Sequence, residues 1–249
     1  MDACPIRLLI NFPADGVTNM ARDEALLVGV GEATSPPTMR FYKWDPPTIS
    51  LGYFQRYGEY ESLAAPVGDL AVVRRTTGGG AILHDREWTY SIALPASHPL
   101  VQAGATQLYD LVHAALIDTL ALLGVRAERC LSSDDSSAGR GPFFCFDRRH
   151  CTDVLIDGGK LAGSAQRRTK TAILQHGSII LANRYHQHHA AAITDHVDLE
   201  DEALLTPFVD ALEQRLGVTF QEGEWSEDEL ACADEMTAKY GGDEWLKKY

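Results

Sequence analysis

The chain has 249 residues, 45% of them apolar, and a formal net charge of −13. That length suits one large α/β domain or two small ones. No run approaches the roughly 20 consecutive apolar residues that a membrane span requires, and the N-terminal MDACPIRLLINFPADG lacks the features of an export signal, so a soluble, cytoplasmic protein with no membrane partner is expected.

Sixteen of the 35 acidic residues lie from Asp195 onwards, where only Arg215, Lys239, Lys247 and Lys248 oppose them. The preceding part is nearly neutral and carries basic clusters at Arg74/Arg75, Arg148/Arg149, Lys160 and Arg167/Arg168/Lys170, so an acidic partner can dock locally despite the global sign. No basic stripe is interleaved with aromatics, which argues against nucleic acid. The five cysteines (Cys4, Cys130, Cys145, Cys151, Cys232) are odd in number and form no C-x-x-C pair. A disulfide framework or zinc knuckle is therefore not expected.

In chain order, a first helix is expected over Val17–Val28. The β-rich runs MRFYKW, PTISLG and LAVVRR follow, then RRTTGGGAILHD (74–85) and the strand TYSIALP. Leu108, Leu111, Val112, Ala115, Leu116, Thr119, Leu122 and Leu123 recur at helical spacing and stop at Gly124. LSSDDSSAGRGP (131–142) reads as a mobile loop. It leads into GPFFCFDRRHC (141–151), the strand TDVLID, the stretch GGKLAGSAQRRTKTAILQHGSIIL (158–181) and YHQHH (185–189). After Asp195 the pattern is helical and acidic over Glu200–Leu216 and Ser226–Tyr240, with no Pro/Gly linker before it, so one domain is expected over 1–249. The fold class is α/β (α+β), a central mixed β-sheet flanked by helices; hairpin-like neighbours after residue 150 make the sheet mixed.

Three consecutive glycines after an apolar strand permit positive φ and close backbone approach to a ligand, although a sheet-edge turn is the simpler alternative. His84 and Asp85 favour a ligand, and neither a Walker loop nor a Rossmann fingerprint is present. Lys160 follows the tight turn Gly158-Gly159, a position from which it can be aimed into a cleft or simply solvated. Cys145, among Phe143, Phe144 and Phe146, is as compatible with core filling as with a nucleophile, because a free thiol near pKa ~8.5 needs a nearby cation to become reactive. Arg148, Arg149 and Lys160 are candidates for that cation. The His-x-His-His of YHQHH lacks carboxylate or thiolate support, so a solvated helix start is expected there and no metal.

Together RFYKWDPPTISLGYFQ, RRTTGGGAILHD and GKLAGSAQRRTKTAILQHGSIIL resemble the lipoate-protein ligase A/octanoyltransferase family, and TNMARDEALL resembles its first helix. The resemblance runs from about Asn11 to Leu181 and returns weakly in KYGGDEWLKKY, and it implies a biotin/lipoate protein ligase-like fold. The family's ligases adenylate free lipoate with ATP. Its LipM-type octanoyl-[acyl carrier protein]:protein N-octanoyltransferases instead carry the acyl group on the cysteine of a Cys-Phe pair, eight residues before an acidic residue and fifteen before the motif lysine. Cys145-Phe146 stands at those distances from Asp153 and Lys160. The octanoyl amidotransferase branch places its cysteine closer to the acidic residue, and Cys151 fits neither spacing. The Arg148-Arg149 pair departs from the small or proline-containing sequence common at that place.

The resemblance thus implies catalytic roles for Cys145 and Lys160. It implies substrate binding by Arg75, Gly78, Gly79, Gly80, His84, Gly163, Ser164, Ala165, Gln166, His176 and Gly177. The glycines would floor an acyl tunnel and His84 would orient the acyl carbonyl. Expected partners are octanoyl-acyl carrier protein, lipoyl domains and glycine-cleavage H protein, docking at Arg74, Arg75, Arg148, Arg149, Arg167 and Arg168. A monomer is expected with no required cofactor; ATP and magnesium belong to the ligase alternative, and a non-catalytic acyl-binding module is the other.

Overall fold

The computed structural model describes residues 5–133 and 141–249. Most of the 131–142 loop reading falls outside the described residues. The elements are, in chain order, β1 (Ile6–Ile10), α1 (Gly16–Gly31), β2 (Thr38–Tyr42), β3 (Thr48–Leu51), α2 (Tyr57–Glu61), β4 (Ala71–Arg74), β5 (Ile82–His84), β6 (Arg86–Pro95), α3 (Pro99–Gln102) and α4 (Gln107–Leu122). They continue with β7 (Glu128–Arg129), β8 (Val154–Ile156), β9 (Gly159–Arg168), β10 (Ala172–Ala182), α5 (Leu205–Leu216), β11 (Phe220–Glu222), α6 (Glu227–Tyr240) and α7 (Asp243–Leu246).

Eight strands form one sheet in the order β11-β1-β2-β6-β10-β9-β8-β7. The β11-β1-β2 end is parallel, and every pairing from β2 onward is antiparallel, so the sheet is mixed as expected. Helices cover both faces. On one, Leu116 of α4 and Phe208 of α5 pack on Phe41, Trp88 and Ile92; on the other, Leu26 and Val30 of α1 pack on Ala93, Ala172 and Leu174. Asp15 caps α1 by accepting from the Thr18 N–H at 2.7 Å, and α6 opens on a Ser226/Glu229 capping box. Among the described residues, no helix is long and apolar enough to cross a membrane.

Two features depart from the sequence reading. The expected single sheet is two: β4-β3-β5 form a separate three-stranded sheet that carries the triglycine between β4 and β5. The C-terminal part is not wholly helical either, because Phe220–Glu222 pairs in parallel with β1; three residues are too few to show an alternating pattern.

Arg74 and Arg75, read as docking residues, are buried at 0% and 2% exposure. Arg74 ties the 52–55 loop to the chain end by donating to the carbonyls of Gly52, Tyr53, Gln55 and Leu246. A guanidinium's planar fork serves several carbonyls at once, which makes this burial possible without a carboxylate.

Phe208, fully buried, meets Phe41 edge-on with ring centroids 5.8 Å apart. Phe208→Ala should lower unfolding free energy by about 3–5 kcal/mol, read as a fall in the urea midpoint.

Candidate active site

The cysteine segment is fixed by backbone before any side chain acts. Ala81 N–H donates to Phe143 O at 2.9 Å and Cys145 N–H donates to Ala81 O at 2.7 Å, which joins Phe144 to Ala81 as an isolated parallel bridge. Gly80 makes that approach possible: a Cβ there would lie 2.8 Å from Cys145 N and 3.0 Å from its Cα. The adjacent Gly79 has φ +94°, a conformation only glycine adopts cheaply. The triglycine thus seats the cysteine, while Gly78 has open space around it.

Cys145 begins a single 3-10 turn, Cys145–Asp147, and is half-buried. Lys160, near the start of β9, is 5% exposed, and its Nζ lies 3.6 Å from Cys145 Sγ and 2.7 Å from Asp153 Oδ2. The same carboxylate oxygen accepts from the His150 N–H at 2.7 Å. Gly163 leaves room for the pair, since a Cβ there would lie 2.6 Å from Lys160 Cε and 3.1 Å from Asp153 Oδ1. The turn before Lys160 uses Asp157 (φ 49°) and Gly158 (φ 77°), one residue earlier than the expected Gly158-Gly159 turn, because Gly159 already begins β9.

A cavity of about 690 Å³ opens over Cys145 between the two sheets. Its inner end is lined by the buried Met20, Tyr42, Trp44, His84 and His176, and its outer end by Gly141, Pro142, Arg149 and His150, which are exposed. Every substrate-binding residue expected from the sequence lines this cavity: Arg75, Gly78, Gly79, Gly80, His84, Gly163, Ser164, Ala165, Gln166, His176 and Gly177. Cys151 does not.

The polar side chains of the wall are largely satisfied by one another. His84 Nδ1 donates to Glu87 Oε1 at 2.7 Å and its Nε2 accepts from the Ser50 hydroxyl at 2.7 Å, with Trp44 stacked on the ring at 3.8 Å. His176 faces Thr77 Oγ1 at 2.7 Å and Asp23 Oδ2 at 3.3 Å, and Asp23 also binds Arg40, Tyr42 and Ser91. Ser164 Oγ sits between Tyr90 OH (2.6 Å) and His113 Nε2 (2.7 Å), and Gln166 donates to Gln175 at 2.7 Å. His84 therefore offers no free nitrogen to an acyl carbonyl, contrary to its expected orienting role. Gly177 is likewise a spacer, because a Cβ there would come within 2.3 Å of Ser164 Oγ. An inner chamber whose dipoles are spent on one another suits an apolar chain better than a polar one.

Asp153, Tyr90, His113 and Trp44 also belong to the site, although no local signal in the sequence marks them for it. In the sequence Asp153 is only a spacing marker, and His113 sits on the buried face of α4, where its position looks like core filling. The His-x-His-His stretch is a turn rather than a helix start: His188 is buried beside the rings of Phe144 and Phe146, and His189 pairs with Asp147 at 2.8 Å. Among the described residues no cluster suits a metal ion.

The family model for the lipoyl protein ligase A/B catalytic domain matches residues 15–212. The chain is 35% identical to a protein named octanoyltransferase LipM from Kyrpidia tusciae, over 96% of this chain and 97% of that one. It is 34% identical to the protein of the same name from Bacillus subtilis, over 97% and 98%. In fold it is similar to a lipoate-protein ligase A bound with ATP (TM-score 0.79, 23% identity, 98% and 99% covered) and to the bipartite lipoate protein ligase of Thermoplasma acidophilum (0.74, 23%, 98% and 96%). The chain thus belongs to the lipoyl protein ligase A/B catalytic-domain family. Within it, the relatives at 34–35% identity that match almost end to end carry the octanoyltransferase name.

Burial lowers the affinity of His84, His113 and His188 for a proton, His188 to a pKa of about 4. Each binds its proton more readily when unfolded, so their contribution is full above about pH 6.5 and is lost as pH falls toward 4. For His188 the loss approaches about 3 kcal/mol. Urea unfolding at stepped pH should show this decline, and a His188→Gln chain should show a shallower one.

Proposed function

We propose that this chain moves an octanoyl group from an acyl carrier protein to the target lysine of a lipoyl domain or glycine-cleavage H protein, through a thioester on Cys145 and without a cofactor. The observation that carries this reading is the placement of Lys160 Nζ 3.6 Å from the Cys145 sulfur, both on the wall of a cavity that reaches in to Met20, Tyr42 and Trp44. The octanoyltransferase name of the relatives supports the group transferred.

The Cys145 thiolate attacks the donor thioester carbonyl. A carbon–sulfur bond to Cys145 forms, the bond to the carrier's thiol breaks, and the Lys160 ammonium gives a proton to that leaving sulfur. The acceptor lysine then attacks as a neutral amine. The amide bond forms, the Cys145 thiolate leaves, and the proton lost by the attacking nitrogen returns to Lys160. Asp153 holds the lysine at the sulfur throughout. Two steps let two bulky partners use one opening in turn.

The inner chamber takes the C8 tail, whose burial contributes on the order of 5 kcal/mol at ~0.8 kcal/mol per methylene. The exposed Arg149 and the half-buried Arg148 line the outer part, Arg167 and Arg168 are exposed at the end of β9, and an acidic carrier would meet these charges. Carrier binding should then weaken as salt is raised.

Incubation with octanoyl-acyl carrier protein should add one octanoyl group by intact mass, removable by hydroxylamine. Cys145→Ala should add none and transfer none. Transfer by Cys145→Ala that appears only with ATP and lipoate would instead mark a ligase. Gly163→Ala, which pushes on Lys160 without touching the sulfur, should stay folded and lose about a hundredfold in transfer rate, measured with a lipoyl-domain acceptor.

A further inference from the structure

Ser164 lines the cavity from β9, one residue beyond Gly163, which packs on the Lys160–Asp153 pair, and it is half-buried. Its hydroxyl is held by two side chains, Tyr90 OH at 2.6 Å and His113 Nε2 at 2.7 Å. Each bond taken alone could run either way. The groups beyond them leave one direction only.

On the His113 side the series of bonds ends on a carbonyl. His113 Nδ1 bonds to Thr152 O, which can only accept, so Nδ1 carries the ring proton. Burial lowers the affinity of the ring for a second proton, which leaves Nε2 bare at neutral pH. The Ser164 hydroxyl therefore donates to Nε2.

On the Tyr90 side the series ends on a guanidinium. Arg168 Nε, which can only donate, bonds to Gln166 Oε1 at 3.1 Å, and Gln166 Nε2 donates to Gln175 Oε1 at 2.7 Å. Gln175 Nε2 then donates to Tyr90 OH at 2.8 Å, and Tyr90 gives its own proton to Ser164.

Both ends thus impose the same direction on Ser164. Its single proton is spent on His113, and one of its two lone pairs takes the Tyr90 proton. The second lone pair is left over. Gly177, the partner of Ser164 across β9 and β10, leaves the space beside the hydroxyl free of a side chain, since a Cβ there would lie 2.3 Å from Ser164 Oγ, and it lines the same cavity. Ser164 therefore meets a ligand as an acceptor and has no proton to offer it.

We propose that Ser164 receives the acceptor lysine: its remaining lone pair takes one N–H of the neutral amine and so turns the nitrogen lone pair towards the acyl carbon. This rests on the acyl-Cys145 reading of the reaction. The amine is the reactant that brings an N–H to the reacting centre. In the first half of the reaction the attacking and leaving atoms are both sulfur, and the thioester oxygen needs a donor, which Ser164 cannot be. In the second half the carbon–nitrogen bond forms and the carbon–sulfur bond to Cys145 breaks. The N–H held by Ser164 stays in the amide, and the other amine proton goes to Lys160.

The test takes octanoyl-enzyme freed of donor, mixes it with a lipoyl domain or with the small thiol N-acetylcysteamine, and follows loss of the octanoyl group by intact mass. Ser164→Ala should be acylated by octanoyl-acyl carrier protein at the wild-type rate and should release the group to the thiol at the wild-type rate. Transfer to the lipoyl-domain lysine should slow about tenfold, the worth of one hydrogen bond, and Ser164→Thr should restore most of that loss. Transfer to lysine at the wild-type rate, or equal slowing of acylation, thiol release and lysine transfer, would overturn the proposal, because a merely structural role moves all three. Should Ser164→Ala not fold because Tyr90 is left without an acceptor, Tyr90→Phe/Ser164→Ala removes the orphaned phenol and is judged by the same three rates. Failure of the underlying reading shows differently: wild-type enzyme that gains no octanoyl group on Cys145 overturns the thioester route and this role for Ser164 with it.

Discussion

The site depends on the close seating of the Cys145 backbone against Gly80. Two hydrogen bonds, from Ala81 N–H and to Ala81 O, hold a segment that otherwise has only one 3-10 turn of its own, and there is no room between them for a Cβ. This seating joins the small sheet to the end of the large one where β8 and β9 run, and it makes the gap between the sheets a chamber with the sulfur at its waist. Lys160 comes to the sulfur from the other side, on a strand whose first turn and later Gly163 leave it the necessary space. Two short glycine-bearing stretches, one on each sheet, therefore set the distance between Cys145 Sγ and Lys160 Nζ.

Charge is distributed inside this site in a way that separates its tasks. The Lys160–Asp153 pair is internally balanced, so its members stay together in low dielectric, and the aspartate directs the lysine more than the sulfur does. The histidines His84, His176 and His113 have ring nitrogens committed to Glu87, Ser50, Asp23, Thr77 and Ser164. What remains facing the cavity is mainly ring surface, methionine and bare backbone. Such a lining suits an unbranched apolar chain better than a polar ligand.

Much of this was legible in the chain itself. The helices α1 and α4 follow from helical spacing and the strands β2, β3, β4, β6, β8 and β10 from β-rich runs, while the family resemblance, through its spacing, grouped Cys145, Asp153 and Lys160, which do meet. Less legible was anything set by pairing across long separations. β11 is too short to carry a pattern and exists because β1 offers it an open edge. The split into two sheets is a matter of partner choice, which alternation along a strand does not encode. Arg74 and Arg75 looked like surface charge because sequence shows charge but not the ring of carbonyls that can bury it. His84 looked like a ligand to the substrate for the same reason: its partners Ser50 and Glu87 lie on different strands.

Passage of the acyl group through Cys145 on its way to the acceptor is tested by single turnover from an isolated intermediate. Acyl-enzyme freed of donor protein, mixed with a lipoyl domain alone, should lose its octanoyl group and yield an equal amount of octanoylated domain with no other component added. An acyl-enzyme that keeps its load, while the domain is modified only when fresh donor is supplied, would rule out passage through Cys145.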